Sequence, residues 1–424
     1  MRSIGITQAF QFYQVSRYAA LVLTGVILAK TGFSTTEIGV FETLILISGV
    51  TSFFWLNGLL NTYIVRSQQD QTPPTREVLV LIGGITLIIC LALMVLNNWV
   101  ISFFSLSENM LYWMIPFIVL SNLSFLTEHI LLVRERPGSL LWLGLAHLIM
   151  LPLLVLIAAL SGGNIALVIG AMCVFLFLKN IFLVILLQSE LKHKSKLLAG
   201  TLLTGALPLI GSYFFGGISI YADGMMVNYF FDKSEFAVYQ YGAREFPLSL
   251  LMANAFGLVM VRYLSSTRSE GLERTKAGSL QLWHQLFPIA IVLMFITPYI
   301  FPIVFNEQFS NSYIYFNIYL LLLIPRLIFP QSILIAEQRT QIQLYISMAE
   351  FSINIIASLV LMQFLGLAGI AFGTLIAYAF EKITMVVYLH RKNIPIQSYV
   401  HLNWYLAYSI ALISVFIMST GRYL

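Results

Sequence analysis

Arg17 and Arg244 are the residues that most demand a chemical reason, because each places a guanidinium inside a long apolar stretch. A charge at the centre of a membrane helix costs ~2.5 to 3.5 kcal/mol on insertion scales, so it turns to a partner, a bundle interior or a wet cavity. Beside Arg17, the residues Thr7, Gln11, Gln14 and Tyr18 recur at spacings of four, three and four, which puts them on one helical face. That stripe is too polar for lipid. Ser212, Gly216, Ser219 and Asp223 make a corresponding small and polar row, and the two helices are expected to face each other across a wet cleft. Arg244 is followed by Glu245 and Pro247, and the proline frees a carbonyl and favours a kink there. Glu42, one turn into its helix, fits a cavity role and a capping role equally well.

The elements that must carry these residues follow from composition. Of 424 residues, 59% are hydrophobic and only 10% charged, with a mean hydropathy of +0.88. A soluble chain carries roughly a quarter charged residues, so the soluble and disordered classes are excluded and an all-α polytopic membrane protein remains. The net charge of +5 lies in short loops and does not point to nucleic acid. Cys90 and Cys173 sit inside apolar runs and read as packing residues. No histidine, including His147 and His284, has ligand spacing around it, so neither a metal nor a cofactor is expected.

A spanning helix needs ~20 mainly apolar residues. Thirteen stretches qualify, near 6 to 29, 38 to 64, 78 to 104, 110 to 133, 138 to 160, 164 to 188, 204 to 228, 236 to 262, 282 to 305, 312 to 335, 341 to 364, 368 to 390 and 400 to 420. The first reads as a retained helix rather than a cleaved signal. Alternate loops then sort the basic residues. Fifteen fall on one side (Arg2, Arg66, Arg76, Arg134, Arg136, Lys192, Lys194, Lys196, Arg262, Arg268, Arg274, Lys276, Arg339, Arg391, Lys392) and three on the other (Lys30, Lys233, Arg422). Basic residues are retained inside, so the N-terminus is expected to be cytoplasmic and the C-terminus outside.

The chain also repeats itself. Thr36-Glu37-Ile38-Gly39-Val40-Phe41 returns as Ser234-Glu235-Phe236-Ala237-Val238-Tyr239 at an offset of 198, and Ala166, Gly170 and Lys179 return as Gly369, Gly373 and Lys382 at 203. Two weaker matches, Glu108 with Glu307 and Val133-Arg134-Glu135 with Ile335-Ala336-Glu337, fall between them in order. Each joins span n to span n + 6, which makes the halves parallel repeats. The expected organisation is a six-helix lobe over 1–190, a second over 199–392 and an additional helix over 399–424. The small residues of spans 6 and 12 read as sites of close helix approach.

Other charges read as structural. Lys179 and Lys382, near the inner ends of spans 6 and 12, are expected to snorkel toward headgroups, with Glu381 beside Lys382. Glu128, His129, Arg326 and Glu350 are interhelical locks or parts of an ion pathway. There is no phosphate loop and no nucleophile elbow, and the longest polar loop, about 263 to 281, is too short for a catalytic domain, so an enzyme is disfavoured.

The six-plus-six repeat, the polar first helix and residues 35 to 41 (small-polar, acidic, apolar, Gly, apolar, aromatic) resemble the Wzx-like polysaccharide flippases of the multidrug/oligosaccharidyl-lipid/polysaccharide exporter superfamily. The likeness spans about 5 to 392; a thirteenth span departs from the twelve or fourteen usual there. The resemblance implies a central cavity between the lobes, lined by spans 1, 2, 7 and 8, alternately open to either side, in the cytoplasmic membrane of a prokaryote. It implies an oligosaccharide cargo on a polyprenyl diphosphate, with membrane lipid around the prenyl tail, and a polysaccharide polymerase and glycosyltransferases as partners. Arg17 and Arg244 would then be headgroup ligands, since a guanidinium is a planar, permanently charged fork for phosphate oxygens. Gln11, Gln14, Tyr18 and Tyr241 would contact sugar, and Asp223 or Glu42 would bind a coupling cation or proton. The rivals are a drug/cation antiporter of the same superfamily and a non-transporting scaffold of a glycan-assembly complex.

Overall fold

The structure, a computed structural model, describes residues 5–69, 73–190 and 199–421. Arg2, Lys192, Lys194, Lys196 and Arg422, used above for orientation, lie outside the described residues, as do the side chain of Glu108 and the surroundings of Gly216. Every element of any length among the described residues is a helix. Among the described residues eleven helices are long and apolar enough to cross a membrane, or up to 13 if each of two bent pairs is one span. The chain divides into two compact units, Met1–Gly217 with Asn228–Glu235, and Ile218–Val227 with Phe236–Leu424.

The first unit contains α1 (Ile6–Lys30), α2 (Thr35–Gln69), α3 (Thr75–Val95), α4 (Asn97–Phe104), α5 (Glu108–Val133), α6 (Pro137–Leu160) and α7 (Ile165–Glu190). It also takes the two ends of α8 (Ala199–Phe230). Helix α1 packs on α6, where Gly144 leaves room for Phe12 and the backbone of Tyr13, and α5 packs on α7. Tyr13, Leu59, Tyr63, Leu126, Ile130 and Leu140 fill the core between them.

The repeated phrase has a local cause. Ser34 and Glu37 form a reciprocal cap at the start of α2, with Glu37 Oε2 accepting from the Ser34 amide at 2.9 Å and the Glu37 amide donating to Ser34 Oγ at 3.3 Å. Asp232 and Glu235 do the same at the start of α9 (Lys233–Gly242), at 3.2 and 2.8 Å. The acid shared by the two copies is therefore a helix cap. Gly39 is needed because a Cβ there would run into the Lys233 carbonyl.

The rest of the second unit is α10 (Pro247–Ser266), α11 (Arg268–Val304), α12 (Ser312–Leu320), α13 (Leu323–Arg326), α14 (Pro330–Ala336), α15 (Thr340–Leu365), α16 (Leu367–Arg391) and α17 (Leu402–Ser419). The eighth span is interrupted at residues 243–246, ahead of Pro247 as expected. The tenth is also broken, bending by 45° where Pro325 and Pro330 interrupt it. Trp283 Nε1 donates to the Leu327 carbonyl at 3.0 Å and Tyr405 Oη to the Ile324 carbonyl at 3.1 Å, so freed acceptors at the break are satisfied by neighbouring helices.

Two expectations are corrected here. Residues 263 to 281 are not a loop: α10 and α11 are helical up to Thr267 on either side, and the exposed turn is held by Glu270 and Arg274 at 2.6 Å and by Arg274 stacked 4.3 Å over Tyr263. Lys179 and Lys382 do not snorkel. Both are buried, at 5% and 3% exposure, because each finds a polar partner inside its own unit. The close-approach reading holds for span 12, where a Cβ at Gly369 would meet the Leu361 backbone and one at Gly373 would lie 2.6 Å from the Ser358 nitrogen. It does not hold at Gly170, where the nearest atom, from Trp113, would be 3.5 Å away.

Candidate functional site

The first unit's charged cluster is built by three helices. Helix α5 brings Glu128, fully buried; α7 brings Lys179; α1 brings Tyr13 and, one turn later, Arg17. Lys179 Nζ donates to Glu128 Oε2 at 2.8 Å and to Tyr13 Oη at 3.1 Å. The other carboxylate oxygen of Glu128 accepts from Arg17 Nη1 at 3.4 Å. Arg17 also lies 4.8 Å over the Phe125 ring and 5.9 Å from that of Tyr13. One carboxylate thus serves two cations, and the cluster carries an excess positive charge. The excess resides on Arg17, whose side chain is 32% exposed. His147 borders the cluster, its Nδ1 against the Leu143 carbonyl at 3.1 Å and its ring edge-on to Tyr13.

The face of α1 that carries Thr7, Gln11 and Tyr18 is exposed and Gln14 is partly so, whereas Ala9, Tyr13, Ser16 and Ala20 are buried. The polar stripe therefore points away from the core of its own unit, with Arg17 at its edge. Glu42 is buried at 5% exposure in α2. It is not the helix cap, since Ser34 and Glu37 perform that task.

In the second unit Asp223 is buried at 4% exposure, and its Oδ2 accepts from Tyr319 Oη at 2.6 Å, Tyr239 Oη at 3.3 Å and Thr374 Oγ1 at 2.5 Å. Asn354 donates to Thr374 at 2.9 Å. Asp223 Oδ1 and Asn354 Oδ1 are both buried with no hydrogen-bond partner among the described residues. A buried carboxylate braced by three hydroxyls, with two oxygens left open, has the acceptor chemistry to take up a proton or a small cation. Nearby in sequence, Ser219 donates to Glu350 at 3.3 Å.

Arg244 lies in the break before α10, its Nε donating to the Gln240 carbonyl at 3.1 Å and its guanidinium 5.3 Å from the Tyr241 ring. Tyr241 is only 3% exposed, stacked 4.7 Å from Phe309 and beside Phe305. The expectation that it lines a cavity is corrected: its ring is spent on packing. The adjacent Glu245 pairs with Arg326, so the two helix breaks of this unit are tied together by an ion pair. Arg17 and Arg244 are thus differently placed, one on a charge cluster and one on a carbonyl and a ring.

Sequence reasoning missed Tyr13, Tyr319, Thr374 and Asn354 and undervalued Glu128. The one signal available was the repeat: Lys382 Nζ contacts Gln331 Oε1 at 3.2 Å across 51 positions, the same separation that joins Lys179 to Glu128. The two lysines and their acceptors share one offset of 203.

No family model and no curated protein matches this chain. Among solved structures it is similar to the lipid II flippase MurJ in an inward closed conformation, with a TM-score of 0.72 and 17% identity over 98% of both chains. The chain shares its fold with this flippase and with solved transporters. An inward-facing MATE family transporter of the MOP superfamily matches at a TM-score of 0.60 and 11% identity, over 92% of this chain and 96% of the other. A point mutant of the Vibrio cholerae MATE transporter VcmN matches at 0.56 and 14%, over 97% of each. These neighbours are transporters and flippases, and at such identities the likeness is one of fold alone.

Proposed function

We propose that the chain is a flippase that moves polyprenyl-diphosphate-linked oligosaccharide from the cytoplasmic to the outer leaflet of a prokaryotic inner membrane by alternating access, its N-terminus cytoplasmic. The observation that carries this reading is Arg17. Its guanidinium is anchored to Glu128 through Nη1 and lies over the Phe125 ring, yet its side chain stays 32% exposed, so it is held on one side and open on the other. Glu128 is already neutralised by Lys179, so Arg17 presents a full positive charge on a polar, exposed stripe. A diphosphate cannot enter hydrocarbon uncompensated, and a fixed guanidinium offers it two parallel charge-assisted bonds. Gln11, Gln14 and Tyr18 on the same stripe suit sugar hydroxyls. Arg244 is a second phosphate ligand on this reading. Asp223 is the site of a coupling cation or proton, supported by the two open oxygens beside it.

The rival is a drug/cation antiporter of the same superfamily, with which the fold agrees equally and for which a buried acid such as Asp223 would serve. The deciding experiment reconstitutes the full chain in vesicles and follows lipid-linked oligosaccharide to the far leaflet. Arg17→Ala is expected to abolish translocation and Arg17→Lys to restore little of it, because an ammonium lacks the fork. Normal glycan movement by Arg17→Ala, with loss of drug export, would establish the antiporter instead. A wild-type protein that moves no lipid-linked sugar, yet is needed by its glycan-building partners, would mark a scaffold.

A further inference from the structure

We infer that a crevice between the last turns of α2 and the first turns of α8, in the first unit, is a loading site for the phosphoryl headgroup of the cargo lipid, with Arg66 as its ligand. The inference rests on the flippase reading and adds to it a second, separate binding place. The two helices touch closely where a Cβ at Gly58 would lie 2.6 Å from Ile210, and again where one at Gly217 would lie 2.6 Å from Phe53. Toward the other end of α2 they leave a cavity of about 390 Å³ lined by Thr62, Val65, Arg66, Gly205 and Leu209. A Cβ at Gly205 would stand 3.7 Å from Arg66 Nη2, in ordinary contact, so Gly205 faces the guanidinium across the crevice and a bulky side chain there would fill it.

Arg66 is partly buried and has no ion-pair or hydrogen-bond partner among the described residues. Its position in the last turn of α2 accounts for a favourable charge at a helix C-terminus. That does not explain why the side chain turns toward α8, where no described residue accepts from it. The walls explain what would use them. Val65 is 49% exposed and Leu209 38%, so the crevice joins a cationic donor to an apolar surface that continues along the helix pair. An amphiphile with a phosphate head and a hydrocarbon tail matches both at once. The basic-loop distribution puts Arg66 on the cytoplasmic side, the leaflet in which such a cargo is made.

The test measures transport by the full chain in neutral phosphatidylcholine vesicles, with a polyprenyl diphosphate carrying one labelled sugar as probe. Arg66→Gln is expected to raise the concentration for half-maximal transport about tenfold, the loss of one charge-assisted contact, with the maximal rate kept. Gly205→Leu, which fills the crevice without touching the charge, should do the same. Binding of a labelled short-chain prenyl diphosphate to protein in neutral nanodiscs gives an independent reading and should weaken in both variants. Wild-type concentration dependence and binding in both variants would overturn the loading site while leaving the Arg17 result intact. An effect seen only when the vesicles contain phosphatidylglycerol would also overturn it, since the occupant would then be bulk anionic lipid. If the wild-type chain moves no cargo at all, the flippase reading fails by itself, and unchanged nanodisc binding still decides the crevice.

Discussion

In the first unit Glu128 is shared by two cations, Lys179 and Arg17, whereas in the second the equivalent place is held by a neutral amide, Gln331, and Lys382 takes its counter-charge from Glu381 beside it at 3.0 Å. The first unit's cluster is left with an excess positive charge at a partly exposed position. The second pairs Glu245 with Arg326 and keeps Asp223 buried among three hydroxyls. A common framework, one lysine reaching across 51 residues in each copy, has thus been given different acceptors, a carboxylate in the first and an amide in the second. On the proposed reading the difference divides the labour: an anionic headgroup for one unit, a coupling cation or proton for the other.

The sharpest way to break this comparison is to remove its shared acid. Glu128→Ala leaves two cations facing each other without compensation, and a lost partner in a buried pair costs about 3–5 kcal/mol. Thermal unfolding of the purified protein should fall accordingly, and a Glu128→Gln, Lys179→Met double variant should recover much of the loss, because it removes the buried charges together. Gln331→Ala in the second unit is expected to be far milder, since Lys382 keeps Glu381. Equal losses in the two units would erase the distinction.

Next in size is a packing effect confined to the second unit. Gly373→Val should destabilise by about 1–3 kcal/mol through overpacking against Ser358, while Gly170→Val, where there is space, should change the unfolding temperature little. Asp223→Asn keeps the shape of its pocket and removes its charge. Transport in vesicles should continue at a reduced rate and lose its response to an imposed ion gradient, whereas an unchanged response would move coupling elsewhere.

The smallest effect concerns Lys233, the first residue of α9, where burial pushes the ammonium down to about 8 from an ordinary 10.5. The folded chain then binds fewer protons than the unfolded one between those values, so the stability of the first unit should rise as pH climbs from about 8 toward 10.5. Lys233→Met should flatten that rise. Thermal unfolding measured across that interval for both proteins provides the check.

Much of the architecture was legible in the chain itself. The lengths of the apolar runs marked the spans, because the thickness of hydrocarbon sets a helix length whatever the neighbours do. Pro247 announced the break before α10, and the two copies of the acidic phrase announced two helix starts, because caps and prolines act on adjacent backbone. Tyr241 was misplaced because a polar aromatic near an arginine reads alike whether it lines a cavity or stacks on Phe309. The tertiary structure alone decided which acid meets which cation. Glu128 lies 111 residues from Arg17 and 51 from Lys179, and nothing local in the chain joins positions so far apart. The same holds for the three hydroxyls gathered on Asp223 from residues 239, 319 and 374. A buried charge takes its chemistry from whatever packing brings within about 3 Å of it, and packing is a property of the folded chain.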